Sequence, residues 1–80
     1  MKIMLMPDGR VLEGTPLEIV QCMQATAIFQ QDMSLTEYMD WLVVQMEAVT
    51  GREVELEEDG DELRAESLVR AMIEVGLAVG

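Results

Sequence analysis

The chain has 80 residues, half of them hydrophobic, and its formal net charge at pH 7 is −11. Sixteen acidic residues stand against five basic ones, and there is no histidine. Nucleic acids and anionic membranes are bound by clustered Lys and Arg, so this composition excludes direct binding to either. The lack of histidine removes the commonest general base and metal ligand, and we therefore predict neither an enzyme nor a bound cofactor or metal.

A chain of this length predicts one domain, residues 1–80. Its single cysteine, Cys22, rules out an internal disulfide. Because a domain this small encloses only a thin core, it often completes that core by associating with another chain. No apolar run approaches the roughly 18 residues of a membrane span, and residues 2–6 are too short for a signal peptide. We expect a cytoplasmic protein.

A β-hairpin is predicted at the start of the chain. Two short apolar-rich runs, residues 2–6 and 10–13, flank the sequence Pro7-Asp8-Gly9, whose residue types suit a tight turn. Alternation along the first run divides its apolar side chains between two faces, with Ile3 and Leu5 on one and Met4 and Met6 on the other. Since both faces are apolar, we expect at least one of them to be covered.

Two capping sequences predict two successive helices. Thr15 and Glu18 form a capping box around Pro16, and the first helix is expected to run to about Gln31. Its apolar residues surround most of the helix, which predicts that it is either central or shared with a partner chain. Ser34 begins a second helix that ends near Thr50. Its predicted core stripe comprises Leu35, Tyr38, Met39, Leu42, Val43, Met46 and Val49.

The last third of the chain predicts a strand and a helix. Residues 52–57 alternate strictly, with Val54 and Leu56 on one side and glutamates on the other, as in a half-buried strand. Asp59 or Asp61 is expected to cap a third helix over residues 62–75. Residues 77–79 either fold back on that helix or add a fourth strand. The fold class is therefore α+β in the order ββααβα, with a small antiparallel sheet (the hairpin plus a third strand) packed against three helices.

A second apolar stripe on helix 2 predicts an interface. Trp41, Val44 and Ala48 lie off the core stripe, and Trp is enriched where proteins bind one another. Together with Phe29 and Cys22 of helix 1, these residues predict the contact surface of a homodimer. The alternative is that Trp41 simply closes the small core. Cys22 lacks the electropositive surroundings of a reactive thiolate and is expected to behave as a small buried hydrophobe.

An acidic face is predicted around the third strand, formed by Glu53, Glu55, Glu57, Glu58, Asp59, Asp61 and Glu62. These carboxylates could bind a divalent cation, although they lack the ligand order of a calcium-binding loop. They could imitate the phosphates of a nucleic acid. Alternate strand residues are about 6.7 Å apart, whereas one DNA strand carries a charge about every 3.4 Å, so the strand row alone has half the density. They could also simply keep an exposed strand from pairing with other chains.

One stretch of sequence resembles a known group of proteins. The residues are Asp8-Gly9, Glu13-Gly14-Thr15-Pro16, Glu18-Ile19-Val20, Ser34-Leu35 and Glu37-Tyr38-Met39. They resemble small acidic bacterial and prophage-type proteins of unknown function over roughly the first half of the chain. The resemblance implies a bacterial or phage setting and no activity.

The functional prediction is a non-enzymatic protein–protein interaction module that forms a homodimer. The alternative is an acidic mimic or inhibitor that occupies the basic groove of a nucleic-acid-binding protein. The two differ in their response to salt, since binding to a basic groove weakens steeply as salt rises.

Overall fold

The computed structural model describes all 80 residues. It contains three strands and three helices, which we number in chain order: β1 Lys2–Leu5, β2 Val11–Glu13, α1 Pro16–Ala25, α2 Leu35–Thr50, α3 Asp61–Glu74 and β3 Ala78–Val79. The predicted α+β class is confirmed, with one antiparallel three-stranded sheet and three helices.

The predicted hairpin is confirmed, and its first strand is the centre of the sheet. The strand order is β2-β1-β3, and Ile3 of β1 lies opposite Leu12 of β2. The turn is closed by the Gly9 N–H, which donates to the Leu5 carbonyl at 2.8 Å, and Gly9 itself adopts a φ of +71°. A left-handed φ of this kind is the conformation for which glycine has no steric penalty.

The third strand lies at residues 78–79, so the prediction of a strand at residues 52–57 is wrong. That segment is extended without sheet pairing, and side chains bind its backbone: the Val54 N–H donates to Glu47 Oε2 at 2.9 Å and the Glu57 N–H to Ser67 Oγ at 3.0 Å. Val54 and Leu56 are nevertheless half-buried against the core while the glutamates are exposed. An alternation of apolar and polar residues indicates only which side chains are buried. An extended segment packed against helices produces the same pattern as a strand.

Both predicted capping boxes are present, at Thr15 for α1 and at Ser34 for α2. The Thr15 N–H donates to the Glu18 carboxylate, and this hydrogen bond lowers the pKa of Glu18. However, α1 ends at Ala25, six residues before the predicted end at Gln31. The Thr26 hydroxyl bonds back to helix carbonyls, a local competition that favours helix ends.

The connection between α1 and α2 is held in place by one side chain. The Gln24 amide donates to the carbonyls of Gln30 and Met33, at 3.1 and 2.8 Å. These two bonds satisfy backbone carbonyls of the connection that lie outside any helix or strand. Residues 26–34 therefore form turns, and Phe29 lies in this connection and not on α1.

Helix α3 begins without the predicted aspartate cap and ends in a motif that creates β3. Its N-cap is Gly60, with no side-chain cap bond, so the assignment of Asp59 or Asp61 to that role is wrong. At the other end, Leu77 N–H donates to the Met72 carbonyl and Gly76 N–H to the Ile73 carbonyl, with Gly76 at φ +84°. This Schellman motif reverses the chain, which then pairs with β1.

The core is a single cluster of twelve buried side chains: Ile3, Leu12, Ile19, Val20, Tyr38, Met39, Met46, Ala65, Leu68, Val69, Met72 and Ala78. Helix α3 is the central helix, since it contacts α1, α2 and β3 and supplies four of these residues. Helix α1 supplies only two. Val49, which was predicted to be in the core, is 73% exposed near the end of α2. No helix is both long enough and apolar enough to span a membrane.

Candidate interaction surfaces

The first surface is the helical strip, which we define as Trp41, Val44 and Ala48 on α2. Val44 is 59% exposed and Ala48 is also exposed. Trp41, by contrast, is half-buried against the core and stacks on Tyr38, with ring centroids 6.0 Å apart. Trp41 therefore contributes to the core as well as to the surface, and Val44 is the large side chain of the strip that is exposed.

Tyr38, which stacks on Trp41 of the helical strip, lies near Arg10 of the hairpin. Burial raises the pKa of the Tyr38 phenol, and the nearby Arg10 guanidinium acts in the opposite direction. Arg10 also donates from Nη1 to Thr26 Oγ1 at 2.9 Å, which ties the hairpin to the end of α1. This hydrogen bond joins the residue before β2 to the C-cap of α1, and the raised pKa keeps the Tyr38 phenol protonated at neutral pH.

The other two predicted interface residues lie apart from α2. Cys22 is exposed on α1, so its interpretation as a buried hydrophobe is wrong. Phe29, in the connection after α1, is 87% exposed, and its neighbour Ile28 is 81% exposed. Large aromatic side chains left this open are available to a partner. The five predicted residues therefore occupy three different elements, and only those of the helical strip share one helix face.

The second apolar surface is the outer sheet face, which we define as Met4, Met6, Val11 and Val79. Ile3, Leu12 and Ala78 point into the core, and the alternate residues point away from it. The four side chains of the outer sheet face are 38 to 51% exposed. The sequence signal was present in the hairpin, whose two faces are both apolar, but alternation does not say which face the helices cover.

The acidic face is wholly exposed. None of its seven carboxylates takes part in the two ion pairs, which join Arg64 to Asp40 at 3.0 Å and Arg70 to Glu66 at 2.6 Å. No group of three or more Asp, Glu or Cys side chains is arranged to hold a metal ion. The extended backbone of residues 52–57 keeps successive glutamates on the solvent side, as the sequence predicted, although no strand is formed.

Several depressions lie between the elements, and two of them have clearly different linings. One, of about 530 Å³, runs between residues 52–57 and α3, and its rim carries two arginines among five glutamates: Arg52, Arg70, Glu53, Glu55, Glu57, Glu66 and Glu74. The other, of about 240 Å³, is apolar and lies beside the hairpin turn, between Leu5, Met23 and Leu42. Both are open grooves, and the one hydroxyl in the first, Ser67 Oγ, donates to the Arg64 carbonyl at 2.9 Å and accepts from the Glu57 N–H at 3.0 Å.

The resemblance to small acidic bacterial and prophage-type proteins stays a prediction. The residues that carry it include Thr15, Glu18, Ser34 and Glu37, which the structure shows to be the two capping boxes. Capping sequences occur at helix starts in many unrelated folds. Comparison of this chain with protein-family models, curated proteins and solved structures found no match.

Proposed function

We propose that this chain is a non-enzymatic protein-interaction module that forms a homodimer. One observation carries the proposal: ten large apolar side chains are exposed, nearly as many as the twelve that form the core. Single exposed apolar residues are normal on any protein, but contiguous groups of them mark interaction surfaces. Six of the ten fall in two groups, the pair Ile28 and Phe29 and the four residues of the outer sheet face, and a seventh, Val44, belongs to the helical strip.

The energetics favour association on these surfaces. Full burial of a Val or Met side chain contributes about 1.5 to 3 kcal/mol, so a few of them make up a substantial part of a weak interface. The opposing term is repulsion between two chains that each carry a net charge of −11. Salt screens that repulsion and leaves the apolar contact in place. Association of this kind therefore strengthens as salt rises.

Light scattering at several protein concentrations tests the homodimer. We expect the average mass to rise from monomer towards dimer with concentration, and to rise further between low and moderate salt. A chain that stays monomeric at millimolar concentration in both salt conditions contradicts self-association. A dimer that dissociates as salt is added contradicts the apolar character of the contact.

A second candidate is the acidic mimic, supported by the seven exposed carboxylates of the acidic face that form no ion pair. Glu53, Glu55 and Glu57 follow an extended backbone, and four further carboxylates follow within residues 58–62. A basic groove that binds nucleic acid recognises a row of negative charges. The affinity of such a groove for this chain would fall as salt rises, whereas the affinity of the homodimer is expected to increase.

Replacement of Glu53, Glu55 and Glu57 together by glutamine tests the mimic. The fold should be unchanged, because all three side chains are exposed. If the mimic hypothesis holds, the wild-type chain captures nucleic-acid-binding proteins from a host extract and releases them when salt is added. The triple variant does not capture them. A control variant with three other exposed carboxylates neutralised, E13Q/D32N/E74Q, should retain them. Equal capture by both variants contradicts the mimic.

A further inference from the structure

We infer that the second copy of the chain binds on the outer sheet face, so that two sheets pack face to face. This inference rests on the proposed self-association and names the surface that carries it. Sequence patterning instead points to the helical strip. Geometry and the distribution of charge favour the outer sheet face.

The outer sheet face is contiguous because of the strand register. Met4 of the central strand lies directly opposite Val11 on one side and Val79 on the other. Directly opposed residues on a sheet have Cβ atoms about 5 Å apart, so these three side chains lie side by side across the full width of the sheet. Met6 extends the patch along the direction of β1. A flexible thioether on this face can adapt to the surface of a second copy.

The charge distribution identifies a second copy as the occupant. Residues 1–14 contain two acidic and two basic side chains, whereas the remaining residues contain fourteen acidic and three basic ones. The hairpin is therefore neutral, and the whole net charge of −11 lies on the part of the chain that follows it. Two molecules with this charge approach each other with least repulsion when their neutral sides meet.

The charges on the outer sheet face are also self-complementary. Lys2 and Glu13 are paired across β1 and β2 and point to the same side as Met4. Two copies facing each other thus bring together two charges of each sign at the rim. A strongly basic partner or a lipid surface would find no excess of either sign there. A neutral apolar face with one charge of each sign fits a copy of itself.

The helical strip is not neutral in this way, because an acidic side chain lies beside it. Glu37 lies one helical turn before Trp41 on the same side of α2, and it is exposed. A partner seated on the helical strip would partly desolvate this carboxylate, which accepts from the Ser34 N–H and has no ionic partner, and such desolvation is destabilising. Trp41, moreover, is already half-buried in its own chain, so it has less apolar surface left for a partner.

The size of the sheet predicts a weak dimer. Its strands contain four, three and two residues. Stable interfaces bury about 800 Å² on each partner, and a face this small falls below that area. The monomer and the dimer should therefore coexist over an accessible range of concentrations, which makes the effect of a substitution measurable.

The test compares Met4→Lys on the outer sheet face with Val44→Lys on the helical strip. Both residues are exposed, and each substitution changes the net charge equally and towards neutrality, so a loss of dimer cannot be attributed to greater overall repulsion. Sedimentation velocity on the full chain gives the dissociation constant, and circular dichroism checks the fold. We expect Met4→Lys to raise the dissociation constant at least tenfold and Val44→Lys to change it less than threefold.

A second variant makes the test independent of an introduced charge. Val11→Thr with Val79→Thr keeps the β-branched shape that strands favour and removes apolar surface from the outer sheet face. We expect it too to weaken the dimer.

A wild-type dimer that Val44→Lys alone disrupts, or that both Met4→Lys and the double threonine variant leave intact, overturns this inference and leaves the proposed self-association standing. A wild type that is monomeric throughout overturns both.

Discussion

Replacement of Ile3 by lysine is expected to unfold the protein, whereas the same substitution at the adjacent Met4 is expected to leave it folded. Both residues belong to the central strand. The Ile3 side chain is 1% exposed and faces the helices, whereas the Met4 side chain is 38% exposed on the opposite face of the sheet. A buried lysine loses its hydration and finds no ionic partner there, because the core contains no buried polar or charged residue. Such a change costs about 4 kcal/mol or more.

That loss is comparable to the whole stability of a domain this small, which is about 4 to 12 kcal/mol at about 0.05 to 0.15 kcal/mol per residue. Chemical denaturation followed by circular dichroism measures both variants. We expect Met4→Lys to lower the free energy of unfolding by less than about 1 kcal/mol, as is usual for exposed positions. If Met4→Lys unfolded the chain and Ile3→Lys did not, the two faces of the sheet would be assigned the wrong way round.

Replacement of Leu68 by alanine is expected to produce the second largest effect. Leu68 is completely buried on α3, the helix that contacts both other helices and the third strand. Removal of a buried leucine side chain costs the transfer free energy of its methyl and methylene groups and leaves a cavity, together about 2 to 5 kcal/mol. For a domain of this size, each kcal/mol lowers Tm by roughly 4 to 8 °C.

The matched control is Leu63→Ala, on the same helix at a position that is 45% exposed. Both substitutions exchange the same residue types within α3, so any difference in helix propensity cancels. We expect Leu63→Ala to cost less than about 1 kcal/mol. Thermal unfolding of the two variants beside the wild type gives the comparison. Equal losses at both positions would contradict the central place of α3 in the core.

Several features of this fold follow from short stretches of sequence, because they depend on local interactions. Pro7, Asp8 and Gly9 define the hairpin turn, and the two capping boxes at Thr15 and Ser34 define where helices begin. Glycines likewise mark two helix ends, because glycine accepts a left-handed backbone. Helix α2 ends at Gly51, with φ +70°, and α3 ends near Gly76. The early end of α1 does not follow from its apolar pattern, because it depends on side-chain hydrogen bonds from Gln24 and Thr26 that stabilise the turns after it.

Of the candidate surfaces, the sequence predicted the exposure of the acidic face, and its side chains are exposed in the structure; Phe29 and Val44, predicted to lie in a dimer interface, are exposed too. It did not predict the outer sheet face. In the sequence, Met4 and Val11 have the pattern of ordinary hairpin residues, and the local sequence does not determine what Val79 pairs with. Only the pairing of Val79 with Met4 brings the three together, across 75 residues of chain.

The sequence by itself determined the α+β class, the hairpin, the helix starts and the alternation of buried and exposed side chains, since each depends on neighbours within a few residues. The tertiary structure alone decided that β3 and not residues 52–57 pairs with β1, and that Ile3 rather than Met4 faces the helices. Both depend on contacts between distant parts of the chain. The Schellman turn after α3 delivers β3 to the free edge of β1, and side chains of α2 and α3 bind residues 52–57 instead.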